Sequence, residues 1–79
     1  MKVIMRFSVN GDANGLLTNT LRARLNDWSI TLDPVNTATY RGIGLTERQV
    51  AEAMADFWEE VSTHQGPGAL DHFWMYADQ

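Results

Sequence analysis

The sequence predicts an α+β fold in which two helices pack on one face of a four-stranded antiparallel sheet. Three observations support this fold class. Apolar and polar residues alternate at both ends of the chain and once in its middle, as in strands with one buried face, and a second middle segment is rich in β-branched and aromatic residues. Two further segments repeat apolar residues every three to four positions, which is typical of amphipathic helices. Turn-forming Gly, Asn, Asp and Pro separate these segments.

The first half of the chain predicts a strand, a helix and two further strands. Residues 2–9 alternate and form the first strand. Asp12 follows a turn and is expected to cap the helix, while Gly15 should weaken its first turn, by roughly 1 kcal/mol relative to Ala if it is interior to the helix. Residues 29–33 alternate again, and residues 37–43, which are rich in β-branched and aromatic residues, are expected to form the strand that pairs with them. The side chains expected to face the core are Val3, Met5, Phe7 and Val9 in the strand and Leu17, Leu21 and Leu25 in the helix.

The second half predicts a longer helix and a final strand. Thr46 and Gln49 match a capping box at the start of the helix. Residues 65–68 contain Gly and Pro and should end it before the last strand, residues 70–77. The apolar helix face comprises Val50, Ala53, Met54, Phe57 and Val61, with Trp58 at its edge. In the last strand Phe73, Met75 and Ala77 should face the helices, and His72, Trp74 and Tyr76 should face away.

The order strand, helix, strand, strand, helix, strand occupies residues 1–79 as a single domain. This order resembles the ferredoxin-like fold, and the resemblance covers nearly the whole chain. It implies the strand order 4-1-3-2, with both helices on one side of the sheet. Because this architecture carries many unrelated activities, the resemblance implies a fold and not a function.

Composition restricts the function classes. The chain has 79 residues, a formal net charge of −4 and no cysteine. Direct DNA binding is not expected, since DNA-binding proteins normally present a basic surface. The lack of cysteine fits a reducing cytoplasm and excludes thiolate metal ligands. No apolar run approaches the length that crosses a membrane, and the N-terminus has no signal-peptide pattern.

The sequence also predicts a protein that is not an enzyme and needs no metal or cofactor. Asp71 and His72 form the one obvious acid–base pair, but successive strand residues are expected to point to opposite faces. The two histidines lack the His-x-x-x-His and Glu-x-x-His spacings of metal sites.

The sheet face left bare by the helices is the first candidate site. Arg6 of the first strand should adjoin Trp74 and Tyr76 of the last, because these strands are neighbours in the predicted topology. Lys2 and His72 extend the same face. Rings beside cations can stack a base, hold a phosphate or bury a partner's side chain. The face could instead pair with a second copy, so both a monomer and a homodimer through the open sheet face remain open.

The outer side of the second helix is the second candidate site. Seven of the ten acidic residues lie in residues 46–79, which contain a single basic residue, Arg48. Arg48 can pair with Glu52 at i, i+4, whereas the other carboxylates of this side have no cation near them in sequence. Such a surface is either solvated or contacts a basic partner. This acidic face comprises Glu52, Asp56, Glu59 and Glu60.

Small size, negative charge and the acidic face are similar to those of the phage-encoded anti-CRISPR proteins. That resemblance implies a protein-binding inhibitor that occludes the basic surface of a nucleic-acid-binding effector complex, with the ring patch as a buried anchor. Two other function classes remain open. One is single-stranded RNA binding through Lys2, Arg6, Trp74 and Tyr76. The other is a small homodimeric enzyme or ligand sensor formed by pairing of sheet faces.

Overall fold

The computed structural model describes all of residues 1–79. Its elements are β1 (Lys2–Asn10), α1 (Leu16–Asp27), β2 (Thr31–Leu32), β3 (Tyr40–Gly42), α2 (Glu47–Thr63) and β4 (Ala69–Asp78). The four strands form one antiparallel sheet in the order β2-β3-β1-β4. The predicted α+β class and strand order are confirmed. Neither helix has the length and apolar character that a membrane span requires.

Both helices pack on the same face of the sheet around one hydrophobic cluster. Phe57 of α2 is fully buried, and its ring centroid lies 5.3 Å from that of Phe7 and 5.3 Å from that of Phe73. Phe7 in turn stacks on Tyr40 at 5.0 Å, and burial raises the pKa of the Tyr40 phenol. The other fully or nearly fully buried residues include Val3, Met5, Leu17, Leu21, Leu25, Ile30 and Ala53. The predicted core faces of β1 and both helices are therefore confirmed.

The helix starts follow the predicted capping residues, with one difference. At α2 the backbone N–H of Gln49 donates to Thr46 Oγ1 at 3.1 Å, and the backbone N–H of Thr46 donates to Gln49 Oε1 at 2.8 Å. At α1 the carboxylate of Asp12 accepts from the backbone N–H of Thr18 at 2.9 Å. Gly15 lies outside the helix, just before Leu16, in the left-handed conformation with φ 71°, so the predicted weakening of the first turn does not apply. A glycine adopts this conformation at little cost, so Gly15 favours the turn into α1.

The predicted bounds of the two central strands are wrong, since β2 and β3 are shorter. Ser29 has φ 61° and ends α1: its N–H donates to the Asn26 carbonyl, and the Ile30 N–H donates to the Leu25 carbonyl at 2.9 Å. These two bonds form a Schellman motif, which takes residues 29 and 30 out of the strand. After β2, Asp33 Oδ1 accepts from the backbone N–H of Val35 at 2.8 Å. The chain therefore turns early and re-enters the sheet only at Tyr40.

Candidate binding surface on the open sheet face

β1 and β4 place the predicted residues of the open face side by side. In their antiparallel register Arg6 is opposite Trp74 and Ile4 is opposite Tyr76. Residues that are directly opposite share a face of the sheet, and the neighbouring positions Met5 and Phe7 face the helices. Trp74 and Tyr76 are each 50% exposed. The structure thus brings Arg6 and both rings together on the side away from the helices.

The two rings are held in a defined arrangement with the arginine. Their planes differ by 12° and their centroids are 6.5 Å apart. The Arg6 guanidinium carbon lies 5.7 Å from the Trp74 ring centroid, and Arg6 Nε donates to Thr39 Oγ1 at 3.1 Å. Thr39 is buried, so its hydroxyl is a fixed acceptor. Arg6 is therefore positioned by a hydrogen bond and a cation–π contact, the latter worth about 0.5–1 kcal/mol at an exposed site.

The cations on this face differ in whether they have a carboxylate partner. Arg41 of β3 lies opposite Ile4 and forms an ion pair with the buried Asp33 at 2.6 Å. Lys2 is opposite Asp78 in the register. Arg6 forms no ion pair. The centre of the open face therefore has one cation without a carboxylate partner beside two half-exposed rings.

His72 also lies on this face, and the expectation that Asp71 points away from it is wrong. The register between β1 and β4 shifts between Ser8 and Val9, and this bulge leaves Asp71 without a partner in the ladder. The Asp71 carboxylate thereby lies 2.8 Å from His72 Nδ1, and Ser8 Oγ lies 3.4 Å from the same nitrogen. Because both oxygens share one ring nitrogen, the three residues do not have the arrangement of a catalytic triad, which uses both nitrogens.

The β2–β3 loop contributes to this surface, which the sequence did not predict. Ala38 lines a groove together with residues of β1 and β4, and Thr39 holds Arg6. The sequence assigned both residues to a strand, so nothing marked them as part of a site. The residues of the groove are Arg6, Phe7, Ser8, Ala38, His72, Phe73 and Trp74.

Two of the four carboxylates on the acidic face of α2 already have hydrogen-bond partners within the chain. Trp28, the residue that follows α1, donates from Nε1 to Asp56 Oδ2 at 2.8 Å, and Arg24 Nε of α1 donates to Glu60 Oε1 at 2.8 Å. The Glu60 carboxylate raises the pKa of the Arg24 guanidinium. Glu52 and Glu59 are exposed and form no ion pair. The partners of Asp56 and Glu60 are distant in sequence and could not be identified from helical spacing alone.

No group of three or more His, Asp or Glu residues comes close enough to hold a metal ion. Comparisons with protein-family models, with curated proteins and with solved structures find no match. The function is therefore argued from the geometry of the surface.

Proposed function

We propose that this chain is a protein-binding module with a ferredoxin-like fold, and that its open sheet face contacts the partner. The element order and the strand order support the fold. One observation carries the function: Trp74 and Tyr76 are half exposed beside the unpaired Arg6. Trp, Tyr and Arg are the residue types that dominate the binding energy of protein interfaces.

The inhibitory role suggested by the acidic face needs carboxylates that a basic partner can reach. Trp28 and Arg24 already bind Asp56 and Glu60, which leaves Glu52 and Glu59 for such a partner. The helices and the open face lie on opposite sides of the sheet, so one flat partner surface can contact only one of them. We therefore assign the main contact to the open face and test Glu52 and Glu59 separately.

The test is affinity capture from a lysate of the native host with three immobilised proteins. These are the wild type, a ring variant (Trp74→Ala with Tyr76→Ala) and a matched acidic-face variant (Glu52→Lys with Glu59→Lys). We expect the wild type and the acidic-face variant to retain the same protein, identified by mass spectrometry, and the ring variant to lose it. Circular dichroism shows that each variant is folded. A partner retained by the ring variant and lost by the acidic-face variant would move the site to α2.

Single-stranded RNA binding is a second candidate, favoured by the near-parallel rings beside Arg6. Successive bases stack on such rings, and a cation beside them attracts phosphate. The test is a titration with a mixed-sequence single-stranded RNA at low salt, followed by tryptophan fluorescence. RNA binding predicts quenching in the wild type that is lost in Trp74→Leu. A signal that does not change on addition of RNA removes this candidate.

A further inference from the structure

We infer that the free edge of β4 is a dimerisation edge. Two copies pair antiparallel through residues 72–78, about a twofold axis at Met75, and join their sheets into one. This inference does not rest on the proposed function, because pairing at the edge leaves both open faces uncovered. It also differs from a dimer in which the open faces cover each other.

The edge of β4 is long, and most of its length carries none of the features that usually protect a sheet edge. β4 has ten residues, whereas β2 at the opposite edge has two. It contains neither Lys nor Pro, the residues that commonly block pairing with another chain. Its one bulge lies near its start, at Asp71, and from His72 to Asp78 its pairing with β1 is uninterrupted. A regular row of unpaired backbone groups is therefore available along this stretch.

Apolar side chains are exposed on both sides of this edge. Met75 was expected to be covered by the helices; it lies on their side of the sheet, opposite Met5, yet it is 37% exposed. Trp58 of α2 is 44% exposed and packs against Phe73 of β4 at 5.1 Å. On the other side Trp74 and Tyr76 are exposed. A second β4 would cover the sides of these residues that border the free edge, which explains why they are apolar, while the open face itself stays uncovered.

The residues of β4 are self-complementary in this one register. When Met75 lies opposite Met75 of the second copy, Trp74 lies opposite Tyr76, and His72 lies opposite Asp78. Aromatic pairs and hydrogen-bonded side-chain pairs are among the cross-strand pairs that stabilise antiparallel strands. His72 Nε2 is available for Asp78, because the contacts of His72 within the chain use Nδ1. Moving the axis to Trp74 would instead place Asp78 opposite Leu70, which loses the pairing of His72 with Asp78.

The dimer would enlarge the open face. Within one copy, Arg6 lies beside Trp74 and Ile4 lies beside Tyr76. Pairing Trp74 with Tyr76 of the second copy would create two rows of rings that cross the shared sheet, each row ending in one Arg6. The dimer then carries twice the binding surface of a single chain.

The experiment is analytical ultracentrifugation of the purified protein from low micromolar to millimolar concentration. We expect the wild type to shift from monomer to dimer as concentration rises. Met75→Lys places two ammonium groups on the axis and should remain monomeric. His72→Asp places two carboxylates opposite each other and should weaken the dimer by at least tenfold, and adding Asp78→Lys to that variant should restore it.

Ile4→Lys is the matched control, because Ile4 lies on the open face but away from the β4 edge. An edge dimer should tolerate this change. A wild-type protein that stays monomeric at every concentration would overturn the inference. A dimer that is lost in Ile4→Lys but persists in Met75→Lys and His72→Asp would also overturn it, because that pattern requires pairing of the open faces.

Discussion

The two sides of the sheet differ sharply although the same strands build both. On the covered side Met5 and Phe57 are fully buried, and the ring of Phe57 contacts three other aromatic rings. On the open side Trp74 and Tyr76 are half exposed. Their aromatic and cation–π contacts are limited to the stacking of the two rings and the contact of Arg6 with Trp74. Alternation along β4 thus separates two roles: the inward rings stabilise the fold, and the outward rings remain available for a partner.

The largest expected difference between the two sides comes from truncating one ring on each. Phe57→Ala should lower the free energy of unfolding by about 3–5 kcal/mol, because it leaves a cavity under both helices. Trp74→Ala should lower it by only about 1 kcal/mol, because Trp74 is half exposed and its contact with Arg6 is a weak cation–π interaction. Urea denaturation measures both, and Phe57→Leu provides a milder variant if Phe57→Ala does not fold. Equal losses for Phe57→Leu and Trp74→Ala would contradict the separation of roles.

Adding a single methyl group on the covered side of the sheet should also lower the free energy of unfolding. A methyl group at Gly42 would lie 2.8 Å from Ile30 Cγ1 and 2.9 Å from Leu45 Cδ1, both on buried side chains. Gly42→Ala should therefore lower the free energy of unfolding by about 1–3 kcal/mol. Ile43→Ala is the neighbouring control, since Ile43 is 70% exposed. Thermal or urea unfolding of the two variants should rank them in this order, and the reverse ranking would show that β3 packs differently.

The acidic residues of α2 offer a finer comparison. Asp56→Ala removes the acceptor of the Trp28 indole N–H and should lower the free energy of unfolding by about 1–2 kcal/mol. Glu59→Ala, on the same helix, removes an exposed carboxylate without an ion pair and should have an effect within about 0.5 kcal/mol. A double-mutant cycle of Asp56→Ala with Trp28→Phe measures the coupling. No coupling would mean that this hydrogen bond does not join the helices.

The smallest expected change in the free energy of unfolding concerns its dependence on acidic pH. The backbone N–H of Thr18 holds the pKa of Asp12 below its ordinary value of 3.8. Since the folded pKa is the lower one, this stabilisation is present above pH 3.8 and is lost as the pH falls through the folded pKa. Urea denaturation between neutral and acidic pH should show this loss in the wild type. Asp12→Asn should flatten that part of the profile, and an unchanged profile would exclude Asp12 as its cause.

Elements with a strong local pattern could be predicted from the sequence. The leucine stripe of α1, the capping box at Thr46 and the alternation of β1 each specify their own structure and are all confirmed. The contacts of the site could not be derived in this way. The bulge at Asp71, the Arg6–Thr39 bond and the Trp28–Asp56 bond all depend on how distant segments meet. Local spacing does not contain that information.

The most direct test of the central claim is the affinity of the captured partner for the ring variant. Isothermal titration calorimetry compares the wild type with Trp74→Ala and Tyr76→Ala combined, both confirmed as folded by urea denaturation. A single Trp or Tyr anchor typically contributes about 2 kcal/mol, which is about thirtyfold in the dissociation constant. We therefore expect the combined change to raise the dissociation constant by more than about thirtyfold, and by about a thousandfold where the two contributions add. A dissociation constant equal to that of the wild type would contradict the claim that the open sheet face binds the partner.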